Sequence, residues 1–178
     1  MNRLLAHLRD NVQGAHKQSE PRRAVDLAML LEEVVRDAQT ARPAPVFECG
    51  IQGLTIAADR DRLASVIGHV IRNAQDATPG DGRVVVRLQK SNGHAVVEVE
   101  DTGCGMDEAF IHARLFRPFQ TTKGSSGMGI GAYEAREFVR ALGGEIHVES
   151  KPGKGTTFRI HFPHEAGEEP VRYRHGLH

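Results

Sequence analysis

The sequence predicts an α/β protein: a two-layer sandwich in which a mixed, mainly antiparallel sheet is covered on one face by helices. Three observations carry this expectation. Apolar residues recur at helical spacing in well-separated stretches. Two pairs of period-2 runs flank short turns, as hairpins do. The order along the chain is mixed (helix, strands, helix, hairpin, long loop, helix, hairpin), which places helices against a sheet. With 178 residues there is enough chain for one ordinary domain plus segments at its ends, without metal or disulfide staples.

Each element has its own justification. In 1–17, Met1, Leu5, Leu8 and Val12 follow a 4-3-4 spacing, that of a coiled-coil seam. A frayed or loosely docked helix satisfies the same spacing. Pro21 ends this stretch. Leu27, Leu30, Leu31, Val34, Val35 and Ala38 mark an amphipathic helix running to about Ala41, ended by Pro43 and Pro45. Residues 46–49 and 54–57 read as short strands. Asp59 is placed to cap a helix over 60–77. Pro79-Gly80-Asp81-Gly82 is a turn. Runs 83–89 and 94–100 form a hairpin around Ser91-Asn92-Gly93. Residues 101–126 are punctuated by glycine and show little periodicity. A helix is expected over 127–142, stopped by Gly143-Gly144, and a second hairpin over 145–150 and 156–162. The polar tail from His164 is expected to be disordered.

Composition removes several classes of function. Lys+Arg and Asp+Glu are both 23, so no whole-chain basic field exists for wrapping nucleic acid. Aromatics are 5% with no Trp, too few for a base-stacking surface. No apolar run reaches the ~18 residues of a membrane span. Charges interrupt the N-terminal apolar stretch, unlike a signal peptide. Two cysteines, Cys49 and Cys104, make no disulfide framework and suit a reducing cytoplasm.

Chemistry concentrates in four segments. On the 60–77 helix, Leu63, Val66, Ile67, Val70, Ile71 and Ala74 form one face. His69, Arg72, Asn73 and Asp76 form the other, an arrangement that also suits a merely solvated face. His69 and Asn73 lie one turn apart, and an amide oxygen is a hard, neutral ligand suited to Mg²⁺. Asp101-Thr102-Gly103-Cys104-Gly105 follows a strand. Its carboxylate can accept from an exocyclic amine such as adenine N6, with two glycines allowing close backbone approach; a plain strand-end turn has the same composition. Leu115-Phe116-Arg117-Pro118-Phe119-Gln120-Thr121-Thr122-Lys123 reads as a lid anchored by two phenylalanines or as a packed surface loop. Gly127-Met128-Gly129-Ile130-Gly131 precedes a helix, where backbone N–H groups form an anion site, or a flexible loop. Neither a P-loop nor a dinucleotide fingerprint occurs.

In this order the segments resemble the nucleotide-binding domain shared by histidine kinases, Hsp90, MutL and type II topoisomerases, over about residues 22–163. The N box is similar to 69–77, the G1 box to 101–105, the F box to 115–123 and the G2 box to 127–131; Gly155-Thr156-Thr157-Phe158 fits the last strand entry. Phe119-Gln120-Thr121-Thr122-Lys123 ahead of the glycine run resembles sensor histidine kinases, and the run 127–134 with Leu115–Phe119 resembles the PrsK-type among them. The resemblance implies a Bergerat-type fold that binds ATP and Mg²⁺. It implies nucleotide contacts from Asn73, Asp76, Asp101, Gly103, Gly105, Thr122, Lys123, Gly127, Gly129, Ile130, Gly131 and Thr156. Asn73 would hold the metal, Asp101 the adenine, and Thr156 would back the adenine pocket. His69, Asn73 and Lys123 would serve phosphoryl transfer, with His69 as base or orienter still open beside its reading as a surface residue. A lid of about 106–126 would cover the phosphates.

None of the ten histidines stands in the sequence context of a phosphoacceptor. The expectation is therefore a catalytic domain that phosphorylates a histidine on a dimerisation domain of the same full-length protein. The acceptor then passes the group to a response regulator. Residues 1–21 would be the end of a dimerisation helix and linker, and 164–178 a tail. The full-length protein is expected to be a homodimer in the cytoplasm or the cytoplasmic part of a membrane protein, with no direct nucleic-acid partner. Two rivals share the same boxes: a serine-kinase switch of the anti-sigma type, and a binding scaffold with a decayed ATP site.

Overall fold

Two aspartates decide where the long helices begin. The structure, a computed structural model, describes residues 22–118 and 130–164. Strand β1 (Arg23–Asp26) leads into α1 (Leu27–Asp37), where Asp26 accepts from the Met29 N–H at 3.1 Å. Strands β2 (Val46–Cys49) and β3 (Thr55–Ala58) precede α2 (Arg60–Ala77), where Asp59 accepts from the Arg62 N–H at 3.1 Å. Each carboxylate satisfies an N–H group that the first helical turn cannot. After α2 come β4 (Val84–Ser91) and β5 (His94–Asp101), α3 (Glu108–Ala113), α4 (Gly131–Ala141), β6 (Glu145–Lys151) and β7 (Gly155–Pro163).

β1 and β3 form a two-stranded antiparallel ribbon. The remaining strands make a five-stranded sheet in the order β2-β4-β5-β7-β6, with β2 parallel to β4 and every other neighbour antiparallel. Val84, Val86, Leu88, Val97, Val99, Phe158, Ile160 and Phe162 alternate onto one face and join Leu27, Leu31, Leu63, Ile67, Ile71 and Val139 of the helices in one core. The expected two-layer α/β sandwich is thus what forms.

The elements differ from expectation in four places. The first helix is α-helical only to Asp37 and finishes as a 3₁₀ turn, Ala38–Thr40, held by the Gln75 amide on the Ala38 and Pro43 carbonyls. β1 leaves no local signal in the sequence, because its partner β3 lies some thirty residues away. Nor does α3, which buries none of its residues and so has no apolar rhythm. Its start is capped by Asp107 accepting from Phe110. The helix expected from 127 begins, within the described residues, at Gly131.

The other sheet face carries a ladder of charge. Arg87 bonds Glu48, Glu98 and Glu100, and Arg159 bonds Glu98 and Glu149. Val85 and Val96 alternate onto this same face and are buried although they lie outside the helix-covered core. Burial alone would raise the Glu98 carboxyl, but the hydrogen bonds and charges of Arg159 and Arg87 outweigh it and hold the group below the usual carboxylate range. A depressed value means stability that is present above the ordinary carboxylate pKa and lost as pH falls through the folded one. Glu98→Gln is expected to lower stability at pH 7 by roughly 1–2 kcal/mol, between the values for exposed and buried pairs. Its denaturation midpoint should also fall less on acidification than that of the parent. An acid limb identical in both proteins would contradict this.

Candidate nucleotide site

The candidate residues gather where β5 ends, between the C-terminus of α2 and the β6–β7 turn. Asp101 closes β5 and is 4% exposed. Its Oδ1 accepts the Gly103 N–H at 2.8 Å and the Thr156 N–H at 3.3 Å. Burial pushes the carboxyl up; the two backbone N–H groups pull it only part of the way back. Thr156 pairs with Asp101 across β5 and β7 and is also buried.

The glycine loop after Asp101 is clamped on both sides. Cys104 N–H donates to the Ala77 carbonyl at the end of α2, and Gly153 N–H donates to the Cys104 carbonyl from the β6–β7 turn. Gly105 adopts φ +68°, and a Cβ there would stand 2.0 Å from the Lys151 carbonyl oxygen. The glycine is therefore required twice, by conformation and by space. Met106 N–H donates to the Ser150 hydroxyl at 2.8 Å, fixing the far end of the loop.

On α2, His69 and Asp76 are exposed and Asn73 is half-buried, on one face as the spacing requires. α2 packs against α4, and the point of approach is specific: a Cβ on Gly131 would lie 1.8 Å from Nε2 of His69. His69 is thus laid across the start of α4, close to the second glycine segment. Ile130 at the N-cap makes no side-chain capping bond, and a helix start of this kind is suited to an anion. Gly131→Ala meets a movable ring rather than backbone. It should keep the fold, with a melting temperature within a few degrees, yet displace the His69 ring, which the imidazole NMR resonances would report. Unmoved His69 resonances in the variant would mean that the ring does not rest on Gly131.

Of the expected site residues, His69, Asn73, Asp76, Asp101, Gly103, Gly105, Ile130, Gly131 and Thr156 are described. Asp101, Gly103, Gly105 and Thr156 form one cluster, and His69 with Gly131 another. Thr122, Lys123, Gly127 and Gly129 lie outside the described residues, as do the expected dimerisation segment and most of the expected tail. Two residues escaped the sequence reading. Ser150 joins the Asp101–Thr156 cluster; the alternation Ile146, Val148, Ser150 in β6 is the available signal. Arg136 of α4 donates to the Phe116 carbonyl at 3.2 Å and sets its guanidinium 5.0 Å from the Phe116 ring centroid, pinning the start of the F-box segment.

Residues 58–166 match the family described as histidine kinase-, DNA gyrase B- and HSP90-like ATPases. The chain belongs to this ATPase family. ATP is accordingly the ligand for which the family's fold is built. The ATPase is 32% identical over 168 residues to the signal transduction histidine-protein kinase AtoS of Escherichia coli K12, covering 92% of this chain and 27% of that protein. The chain thus spans about a quarter of that relative's length. Among solved structures it is similar to a mycobacterial sensor histidine kinase, MprB, with TM-score 0.71 and 26% identity over 81% of this chain and 98% of that one. Full-length ShkA in complex with AMPPNP superposes with TM-score 0.71 and 25% identity, over 87% of this chain and 33% of that one. No helix among the described residues is long and apolar enough to cross a membrane.

Proposed function

We propose that residues 22–163 are the catalytic domain of a sensor histidine kinase. The domain transfers the γ-phosphoryl group of ATP to a histidine on a dimerisation domain of the same full-length protein, from which a response regulator receives it. The observation that supports this best is the buried Asp101 carboxylate. It faces a glycine loop clamped between α2 and the β6–β7 turn, beside a helix face carrying His69, Asn73 and Asp76. The serine-kinase alternative is less favoured, since the relatives described above are histidine kinases.

In this reading Asp101 and Thr156 hold the adenine, and Gly103 and Gly105 let the backbone lie against it. The N-terminus of α4, with Ile130 and Gly131, would take the phosphates, and Gly127, Gly129, Thr122 and Lys123 would serve them by their place in the sequence motifs. Among the described residues no group of three or more His, Cys, Asp or Glu side chains could cage a metal. Asn73, assisted by Asp76, would hold Mg²⁺ jointly with phosphate oxygens, the sparse protein ligation this ion accepts. When bound, the ion neutralises charge on the transferring phosphoryl group. His69, set between Asn73 and Gly131, orients the incoming acceptor.

Incubating the chain with radiolabelled ATP and a separately supplied histidine-bearing dimerisation domain should label that domain alone, in an acid-labile bond. Asn73→Ala should cut the transfer about 100-fold with the fold intact, because positioning and charge supply most of the catalysis. Acid-stable label on a serine would overturn the assignment.

A further inference from the structure

Three polar residues end the apolar inner face of the sheet in a single row. Asp101 of β5 pairs with Thr156 of β7, and Thr156 pairs with Ser150 of β6. The next row along the same strands is apolar: Val99, Phe158 and Val148. The Ser150 hydroxyl has three neighbours: the Met106 N–H at 2.8 Å, the Gly155 carbonyl at 2.9 Å and the Thr156 hydroxyl at 2.8 Å.

Two of these neighbours have no choice of role. An amide N–H only donates and a carbonyl only accepts. A serine hydroxyl has one hydrogen and two acceptor sites. Its hydrogen is committed to Gly155 and one acceptor site to Met106. Toward Thr156 only the other acceptor site is left, so Thr156 must donate. With its hydrogen spent, the Thr156 oxygen offers nothing but lone pairs. Asp101 already uses Oδ1 on two N–H groups and as a carboxylate is itself acceptor-only.

Resting on the reading of this cluster as the base-binding end of an ATP site, we propose that Ser150 is a positioning residue that fixes the direction of the Thr156 hydroxyl. The floor of the site then presents acceptors alone and selects a purine with an exocyclic amine over one with a carbonyl at that position. A 6-oxo purine would set its carbonyl against two acceptors, directly or through a water with no spare hydrogen. Unpaired polar groups of this kind are what makes such a site discriminate. Ser150 touches no substrate; it acts through Thr156.

The test is calorimetric binding of ATP and inosine triphosphate to the full 178-residue chain. The two nucleotides differ only at purine position 6 and the adjoining N1. The parent should prefer ATP. Ser150→Ala frees the Thr156 hydroxyl to turn and donate, and the ATP-to-ITP affinity ratio should fall about 3- to 10-fold. Thr156→Val should lower the ratio by itself, and adding Ser150→Ala to it should change the ratio no further. Should Ser150→Ala fail to fold, Ser150→Cys carries the same comparison in a near-isosteric form. Equal weakening of both nucleotides, an unmoved ratio, or an undiminished Ser150→Ala effect without the Thr156 hydroxyl would each overturn the proposal while leaving ATP binding standing. A parent chain that binds neither nucleotide would overturn the ATP-site reading and this inference with it.

Discussion

Asp101→Asn should abolish the preference for adenine and lower ATP affinity about 100-fold, while the protein melts no lower than the parent. Both halves follow from the two N–H groups on Oδ1. In the variant, the amide oxygen must stay where Gly103 and Thr156 donate, since turning the amide would set N–H against N–H. The NH₂ group is then forced into the place of Oδ2 and meets the adenine amine donor to donor. A site that mismatches a buried hydrogen bond loses affinity on this scale. Stability moves the other way because burial raises the Asp101 carboxyl. A raised carboxyl contributes stability at low pH that is lost as pH rises through the folded value, so its charge is a burden at pH 7 that asparagine removes. The same raised value makes ATP binding by the parent decline on acidification before ordinary carboxylates, near pH 4, have titrated. Calorimetric titration of ATP from pH 8 down into the ordinary carboxylate range, beside thermal melts, measures both effects. Unaltered ATP affinity in the variant would remove Asp101 from the base site.

Gly105→Ala should be among the most damaging small substitutions. Its Cβ would lie 2.0 Å from the Lys151 carbonyl oxygen at φ +68°, and neither partner is a side chain that can swing away. The loop must separate from the β6–β7 turn, which breaks the Gly153-to-Cys104 and Met106-to-Ser150 hydrogen bonds. The expected cost is about 2–4 kcal/mol, roughly 5–15 °C in melting temperature for a domain of this size, with ATP binding lost below that temperature as well. Gly131→Ala, whose clash is with a ring, provides the contrast. A Gly105→Ala protein that melts and binds like the parent would show that the loop is free of the turn.

The legible parts of this molecule are those whose cause is local. α2 begins and ends where the sequence places it, because Asp59 caps it and six apolar residues keep helical register on one side. The β4–β5 hairpin announces itself by alternation around Asn92-Gly93, both at positive φ. Asp101 and the glycines after it stand out because a carboxylate and glycines in a strand-to-loop passage have few other uses. Ser150 and Arg136 do not, because Met106 and Phe116, the partners that tie them to the glycine loop and the F-box segment, lie 44 and 20 residues away, and neither residue type carries a signal of its own. β1 is hidden for the same reason, since four residues cannot show a rhythm and its partner strand is distant.

The register between β5 and β7 has a consequence in time. The hairpins on either side close over a few residues, but Asp101 meets Thr156 across 55 residues of chain. A ribosome extending the chain at ~5–20 residues per second therefore needs roughly 3–11 s after completing Asp101 before its partner even exists. Throughout that interval the first hairpin can be paired and α2 formed against it, yet the floor for a nucleobase is half built. The Asp101–Thr156 pairing can therefore form only once β7 has been made, well after the first hairpin.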